Sequence, residues 1–252
     1  CMGQCEYCYL HTQLGDKPYI RVNVNIEEIL ERASKYMDES KDGFTTFEGS
    51  ATSDPLCVEP YTHALAKTIE FFANEPRGAF RFVSKYSDVD GLLDLKHNNK
   101  TEVRFSLNTE RVRSEYEHAT ATVAARLHAA AKMSKAGYPI GFLIAPVFIY
   151  DGWKKEYEEL LRNLADTLPA QLEHRLFFEV ISHRYTPKAK DMIQEIFPTS
   201  TLPMNDEERK YRRGQFGYGK YHYTKEDMQE MKAFFQEKLL EYFPTCEIKY
   251  II

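Results

Sequence analysis

Three cysteines lie within the first nine residues of this chain, CMGQCEYCY, at Cys1, Cys5 and Cys8. One short loop with this Cys-x3-Cys-x2-Cys spacing can direct all three thiolates toward a compact inorganic centre, because the backbone does not have to double back on itself. A [4Fe-4S] cluster normally takes four cysteine ligands, so three would leave one iron free to bind an external molecule. The spacing therefore predicts a cluster with one open coordination position.

Two other interpretations of these thiols stay open. Together with His11 they could form a Cys3His zinc site, since thiolate and imidazole both suit that ion, or they could be simple surface thiols. A structural zinc site usually stabilises a small domain with little core, whereas more than two hundred residues of α/β pattern follow this loop. The chain has five cysteines, and three so close together favour a reducing compartment over a disulfide framework. We therefore favour the cluster.

Length and composition indicate one soluble domain spanning residues 1–252. A chain of 252 residues with 43% hydrophobic content can bury the core of one α/β barrel. No apolar run approaches the roughly 20 residues that span a bilayer, and the N-terminus lacks a signal segment, so we expect a cytoplasmic protein with no membrane partner. The net charge of −5 argues against nonspecific binding of polyanions by the whole surface. Any nucleic-acid contact must then come from a local basic patch.

Strand-like and helical segments alternate along the chain, and Asn25 with Glu28 marks the first helix start. Alternation of strands with helices of ten or more residues is typical of βαβ units and a parallel sheet. A cluster loop normally follows a strand, and the chain begins with Cys1, so we expect a truncated N-terminus and a further strand before Cys1. We predict strands at 43–47, 79–84, 103–107, 138–147 and 175–182, helices at 26–40, 60–73, 87–97, 120–136, 154–168 and 226–242, and a final strand or packing segment at 246–252.

The cysteine loop resembles the signature of the radical S-adenosylmethionine (SAM) enzymes, in which the amino and carboxylate groups of SAM chelate the open iron. The resemblance implies an α/β fold, a partial (β/α)6 TIM-like barrel of six strands. It implies a [4Fe-4S] cluster and SAM as cofactors. It also implies a one-electron reductant of the flavodoxin or ferredoxin type as a partner.

The carboxyl ends of the strands are where a parallel barrel places its chemistry. Glu48 and Gly49 lie where the radical SAM family usually has Gly-Gly-Glu, which holds the amino group of SAM, and Ala145 replaces the second glycine of a Gly-x-Ile-x-Gly pattern that pairs with adenine. The resemblance further implies that Lys85 meets the SAM carboxylate and Ser106 the ribose. Taken alone, each is a polar strand-end residue with a solvated or capping role. The implied SAM contacts are Tyr7, Glu48, Gly49, Ser50, Ser53, Lys85, Ser106 and Ala145.

A narrower resemblance is to the spore photoproduct lyase family, and it covers nearly the whole chain. The segments that carry it are CEYCYLHT, FEGSATSDP, RFSLNTERV and EHATATVAARLHAAAKMSKAGYPIGFLIAPV. That family repairs the spore photoproduct, a thymine–thymine adduct, in the DNA of germinating spores. The resemblance implies a carbon–carbon lyase of the spore core, in which a 5′-deoxyadenosyl radical removes a hydrogen from C6 of the lesion. The bond between the thymines then breaks, and a hydrogen atom returns to the methylene radical.

The family's hydrogen donor is a cysteine in the segment corresponding to GSATS, where this chain has Ala51. A methyl group has no labile hydrogen comparable to that of a thiol, so we expect a substituted donor position and impaired quenching of the product radical. Cys57, six residues on, is expected to face elsewhere. The resemblance also implies that Tyr9 relays hydrogen and that Tyr7 packs on SAM, although both tyrosines could simply shield the cluster from water.

The segment 209–225 supports a DNA substrate independently of the family. It carries six Lys or Arg and no acid, with aromatic residues interleaved. Cations neutralise phosphates, and aromatic rings can fill the space left by an extruded base. Its glycines favour a hairpin, and a solvated turn is the alternative. The predicted DNA contacts are Arg184, Arg212, Arg213, Phe216, Tyr218 and Lys220.

Two other functional classes stay compatible with these patterns. One is a radical SAM enzyme that acts on another substrate class, and the other is a zinc-bearing nucleic-acid-binding protein. Iron and sulfide analysis separates the enzyme from the zinc protein, and a lesion-bearing dinucleotide separates the two enzymes.

Overall fold

The computed structural model describes residues 1–14, 19–50, 52–214 and 217–252. Within these ranges no helix is long and apolar enough to cross a membrane. The strands are β1 Gln4–Cys5, β2 Thr45–Gly49, β3 Gly78–Ser84, β4 Thr101–Leu107, β5 Glu117–His118, β6 Ile140–Val147, β7 Phe177–Ser182, β8 Lys210–Arg213, β9 Gly219–His222 and β10 Glu247–Ile251. The helices are α1 His11–Leu14, α2 Ile26–Glu39, α3 Glu59–Thr62, α4 Ala64–Ala73, α5 Glu110–Tyr116, α6 Val123–Lys135, α7 Trp153–Thr167, α8 Pro187–Ile196 and α9 Lys225–Tyr242.

Six strands form one parallel sheet in the order β10-β7-β6-β4-β3-β2. Every pairing in it is parallel, so each connection must cross back over a face of the sheet, mostly through a helix. This sheet is the α/β half-barrel that the alternation of strands and helices predicts. Because parallel strands end at a common edge, the loops after β2, β3, β4, β6 and β7 meet there.

The two faces of the sheet differ in chemistry because successive strand residues point to opposite sides. On the helix-covered face, Phe80, Phe82 and Phe105 are buried, and the ring of Phe80 stacks on that of Phe72 from α4 at 5.7 Å. Burying each such ring stabilises the fold by roughly 1.5–3 kcal/mol. The other face carries charged residues, and among them Arg104 is 5% exposed. The core therefore lies between sheet and helices, and charged side chains lie on the concave face.

The five strands predicted from the sequence all belong to the sheet, but its sixth strand is not the one expected before Cys1. It is β10, formed by the apolar C-terminal segment, which pairs with β7. A strand before Cys1 stays a prediction that this structure does not test.

The helix predicted at 87–97 is wrong, because this connection contains only a 3-10 turn at Asp90–Leu92. Val89 and Leu92 are both buried, and their spacing of three residues suits the tighter turn. Gly91 weakens an α-helix at this point. Asn98 and Asn99 then adopt left-handed conformations with φ of 47° and 59°, which end the connection before β4.

Three short helices, α1, α5 and α8, were missed, and one predicted helix is divided. The missed helices α5 and α8 have Thr109 and Thr186 as N-cap residues. The side chain of each threonine accepts a hydrogen bond from the backbone N–H three residues later. Such N-caps stabilise helices by about 1 kcal/mol. The helix predicted at 60–73 is interrupted at His63, which has φ of 50° and separates α3 from α4.

Candidate active site

The cysteine loop is fastened to the segment that follows α5. Its strand β1 pairs antiparallel with β5, so that Cys5 lies opposite Glu117. The Glu6 N–H donates to the Tyr116 carbonyl at 2.9 Å, and the Cys8 N–H donates to the Cys5 carbonyl at 3.0 Å, closing a turn. The loop therefore lies at the carboxyl edge of the sheet, beside the ends of β3 and β4.

The three thiols of the loop differ in exposure: Cys1 is exposed, Cys8 is partly buried and Cys5 is buried. Burial raises the pKa of Cys5 to about 11, although the neighbouring Lys85 ammonium opposes the shift. Burial also raises the pKa of Cys8. Both groups therefore carry protons that binding of a metal centre would displace.

The donor set of this loop suits a cluster. Among the described residues, no three His, Cys, Asp or Glu side chains are grouped as a site for one ion. In a cubane each thiolate binds a different iron, so the three cysteines can serve three irons and leave the fourth open. His11 is engaged elsewhere, with Nε2 2.9 Å from the Cys5 carbonyl oxygen and its ring edge-on to Phe197.

A buried charge cluster lies against the loop and is centred on Glu117, whose side chain is fully buried. Its carboxylate lies 2.9 Å from Lys85 Nζ and 2.6 Å from Arg126 Nη2. The Tyr7 hydroxyl donates to the same carboxylate. Lys85 Nζ also donates to Ser106 Oγ at 2.9 Å. Two of the predicted SAM contacts, Tyr7 and Lys85, thus bind one carboxylate that the sequence did not single out, and a third, Ser106, is hydrogen-bonded to Lys85.

The electrostatics of this cluster follow from its burial. Burial alone would raise the pKa of Glu117, but the charges of Lys85 and Arg126 hold it down at about 2. Arg126 is fully buried and also donates to the Ser106 carbonyl at 3.0 Å and to Thr120 Oγ1 at 2.8 Å. Two cations facing one carboxylate, +2 − 1, leave a net charge of +1. The cluster can therefore accept the carboxylate of a ligand.

The loop after β2 is fixed to the end of β3 by Asp54, a second residue that the sequence did not single out. Its buried carboxylate accepts from Ser84 Oγ at 2.9 Å and from the Lys85 N–H at 2.8 Å. Within this loop the Ser53 N–H donates to the Ser50 carbonyl at 2.8 Å. Ser50 and Ser53 therefore belong to a loop that Asp54 holds against the carboxyl end of β3. The predicted donor position, Ala51, lies outside the described residues.

Glu48 is engaged with two arginines on the concave face of the sheet. Its carboxylate accepts from Arg81 Nε at 2.7 Å and also from Arg104. Arg104 in turn donates to Glu179 at 3.0 Å. The next residue, Gly49, lies so close to Phe80 that an added Cβ would come within 2.4 Å of that ring. The two arginines therefore hold the Glu48 carboxylate on the concave face, with its side chain still 30% exposed.

The remaining predicted contacts of the loop and β6 fall into two environments. Tyr7 lies against Phe148, with ring centroids 5.9 Å apart, whereas Tyr9 is 55% exposed. Burial, and to a smaller extent the negative charge of Glu117, raises the pKa of Tyr7 well above its usual value. Ala145 is partly buried at the carboxyl end of β6. Tyr7 can therefore form a dry wall of the site while Tyr9 stays accessible.

The basic segment forms an antiparallel hairpin in which Arg212 lies opposite Lys220. Arg212, Arg213 and Tyr218 are exposed. Burial, and to a smaller extent the charge of Arg184, lowers the pKa of Lys220. Phe216, predicted as a DNA contact, lies outside the described residues.

The half-barrel, the three-cysteine loop at its carboxyl edge and the cationic pocket beside that loop define the class of the radical SAM enzymes. A sequence model of the spore photoproduct lyase family matches residues 1–252. The chain is 50% identical over 252 residues to the spore photoproduct lyase of Clostridium acetobutylicum, covering 100% of this chain and 74% of that protein. It is 44% identical over 250 residues to that of Bacillus subtilis, covering 99% and 73%. The chain belongs to the spore photoproduct lyase family.

Solved structures of this family share the fold. A spore photoproduct lyase double mutant with bound AdoMet and dinucleoside spore photoproduct superimposes with a TM-score of 0.95 at 42% identity, covering 100% of this chain and 74% of that one. A second structure, a spore photoproduct lyase complexed with dinucleoside spore photoproduct, gives the same TM-score, identity and coverage. The resemblance noted in the sequence and the predicted fold class are thereby confirmed.

Proposed function

We propose that this chain is a radical SAM lyase that reverts the spore photoproduct in DNA to two thymines. The observation that carries the proposal is that Tyr7 and Lys85 both bind the buried Glu117 directly beside the three-cysteine loop, with Ser106 hydrogen-bonded to Lys85. Relatives of known structure support the proposal, because one of them holds AdoMet and the dinucleoside lesion together.

The residues of the pocket suit SAM. Cys1, Cys5 and Cys8 would hold a [4Fe-4S] cluster, and the bound cluster and SAM together supply a 5′-deoxyadenosyl radical. Lys85, 19% exposed at its side chain, is oriented by Glu117 and would bind the carboxylate of SAM through a charge-assisted hydrogen bond. Ser106 would take the ribose. Tyr7 excludes water from one side of the pocket because its ring is packed on Phe148.

The donor side of the reaction is specific to this sequence. With alanine at position 51, the side chain there offers no thiol hydrogen to the product radical. The Cys57 thiol is buried and donates to the Asp54 carbonyl at 3.0 Å, so its hydrogen is engaged inside the protein. The exposed hydroxyl of Tyr9 is the proposed relay. We expect radical formation and lesion cleavage to proceed and quenching to be slow.

The hairpin supplies the DNA contacts in this proposal. Arg212 and Arg213 present exposed guanidinium groups, and such groups bind phosphate through bidentate hydrogen bonds. Tyr218, 53% exposed, can stack on a base. The reductant would be a one-electron carrier of the flavodoxin or ferredoxin type in the cytoplasm of the spore core.

The proposal is tested by anaerobic reconstitution with iron and sulfide, followed by addition of SAM, dithionite and the dinucleoside lesion. We expect about four irons per chain, formation of 5′-deoxyadenosine and loss of the lesion. The Cys5→Ser variant should lose all three. Stoichiometric zinc with no iron would favour the zinc-bearing alternative, and 5′-deoxyadenosine without lesion loss would favour another substrate class.

A further inference from the structure

Arg209 opens the basic segment, yet it is only 7% exposed. Its Nη1 donates to the His183 carbonyl at 2.9 Å, and its Nη2 donates to the Pro203 carbonyl at 3.1 Å. Its Cζ lies 3.4 Å from the centroid of the Tyr223 ring. The guanidinium is therefore directed inward, in contrast to the exposed Arg212 and Arg213, and does not face a phosphate.

Tyr223 lies at the other end of the hairpin and is 5% exposed. Its hydroxyl accepts from the Ile149 N–H at 2.8 Å, and Ile149 lies just after β6. Arg209 thus lies immediately before β8 and Tyr223 immediately after β9, and the guanidinium of Arg209 packs over the ring of Tyr223. Through Ile149 and the His183 carbonyl, the pair joins the base of the hairpin to the carboxyl ends of β6 and β7.

A backbone bridge extends this attachment. Tyr185 and Tyr221 exchange two backbone hydrogen bonds, of 3.3 Å and 2.8 Å, and their rings stack at 5.3 Å. The ring of His183 lies between those of Tyr185 and Phe148, and Phe148 contacts Tyr7 of the cysteine loop. A continuous set of packed rings therefore runs from the cysteine loop to the hairpin.

We propose that Arg209 is a positioning residue that fixes the orientation of the hairpin over the carboxyl edge of the sheet, so that a lesion held by the hairpin is in register with the radical site. This inference rests on the proposed function. The β8–β9 ladder has its own backbone pairs, so the hairpin persists without Arg209. What is weakened is its fixed angle to the barrel, because the two carbonyl bonds and the stack on Tyr223 hold the base of the hairpin beside the Tyr185–Tyr221 bridge.

The test compares Arg209→Lys, which keeps the charge but loses the planar fork, with Arg212→Ala on the exposed hairpin and with Arg162→Lys on α7 as a matched control. The first readout is the salt dependence of binding to undamaged duplex DNA. Arg209→Lys should leave the slope of log K against log salt unchanged, whereas Arg212→Ala should lower it by about 1. A drop for Arg209→Lys equal to that for Arg212→Ala would overturn the proposal in favour of a phosphate contact.

The second readout is amide hydrogen exchange at Ile149 and Tyr221. Arg209→Lys should reduce the protection of both amides by about tenfold, since their hydrogen bonds open more often when the base of the hairpin is less firmly attached to the barrel. Should Arg209→Lys fail to fold, Tyr223→Phe keeps the ring but removes the acceptor for Ile149, and should expose the Ile149 amide by a similar factor. Unchanged protection in the folded variants would overturn the proposal.

The third readout is the number of lesions cleaved per 5′-deoxyadenosine formed. Arg209→Lys should lower this ratio on the order of tenfold or more, because a displacement of about 1 Å of a reacting group can reduce the rate by about 10². If the ratio is unchanged in Arg209→Lys while the unsubstituted chain is active, the inference about Arg209 fails and the proposed function stands. If the unsubstituted chain cleaves no lesion, the proposed function fails, while the exchange and salt readouts still test the attachment of the hairpin.

Discussion

The ammonium of Lys85 lies 2.9 Å from the carboxylate of Glu117, and this ion pair connects the end of β3 to the segment that anchors the cysteine loop. Cys5 lies opposite Glu117 in the β1–β5 pair. Glu117 therefore holds the cysteine loop, the Lys85 ammonium and the Tyr7 hydroxyl together. A substitution at Glu117 should therefore change both the stability of the fold and the geometry of the cofactor pocket.

Glu117→Gln should destabilise the protein by about 3–5 kcal/mol at pH 7, because Arg126 and Lys85 are left without their buried counter-charge. Urea unfolding measures this directly. The matched control is Glu110→Gln on α5, whose side chain is 63% exposed beside Arg113 and whose loss should cost at most about 1 kcal/mol. Equal effects of the two substitutions would contradict the assigned role of Glu117.

The same pair predicts a pH dependence. The pKa of Glu117 is held at about 2 in the folded state, against about 4.3 for an unperturbed glutamate. A lowered folded-state pKa contributes stability that is present above the unfolded value and is lost as the pH falls through the folded value. The difference in unfolding free energy between the unsubstituted chain and Glu117→Gln should therefore shrink between about pH 4.3 and pH 2. A difference that stays constant over this window would show that the carboxylate charge is not involved.

Lys85→Ala should weaken binding of SAM by about tenfold to a hundredfold, since a hydrogen bond to a charged group contributes about 1.5–3 kcal/mol. The decarboxylated analogue of SAM should bind Lys85→Ala and the unsubstituted chain alike. Calorimetric titration of both ligands separates the two cases. An equal loss for both ligands would mean that Lys85 supports the pocket without contacting the carboxylate.

Arg213→Ala should lower the salt slope of DNA binding by about 1, because one phosphate contact releases about one counterion. Arg162→Ala on α7 is the control and should leave the slope unchanged. Fluorescence anisotropy over a range of salt concentrations measures both. A slope that is the same in all three chains would place the DNA on another surface.

Ala51→Cys should restore clean quenching. In the unsubstituted chain, the allylic thymine radical should persist until the sulfur dioxide radical anion from dithionite intercepts it, giving a thymine sulfinate adduct in place of part of the thymine. Chromatography of the products measures the partition between adduct and thymine. Cys57→Ala should not alter it, since that thiol is buried and bonded to the Asp54 carbonyl. Clean thymine from the Ala51 chain at the rate of Ala51→Cys would require another donor, with Cys57 and Tyr9 the first to replace.

The elements that the sequence predicts well are those with strong periodicity. The strand AFRFVS alternates aromatic and polar residues, and it forms β3 with Phe80 and Phe82 buried on one face. The segment 87–97 lacked such a signal, because Gly91 and closely spaced aspartates weaken its helical pattern. Its connection to β4 is set by the fit of Val89 and Leu92 into the core.

The centre of the site was harder to predict, because its contacts join distant parts of the chain. Tyr7 and Glu117 are 110 residues apart in the sequence, and no local pattern relates them. One signal was present: Arg126 lies in the run VAARLHAAA, which is apolar apart from Arg126 and His128, and Arg126 is fully buried. A lone arginine on the apolar face of a helix requires a buried partner, which here is Glu117.

The most direct test of the central claim is the fate of a deuterium atom at C6 of the dinucleoside spore photoproduct. With the reconstituted chain, SAM and dithionite, we expect the label to appear in 5′-deoxyadenosine, as measured by mass spectrometry, while the bond between the thymines is broken. The label should be absent from 5′-deoxyadenosine in Cys5→Ser, which cannot hold the cluster. Formation of unlabelled 5′-deoxyadenosine with the lesion intact would contradict the account, because the radical would then act on something other than this substrate.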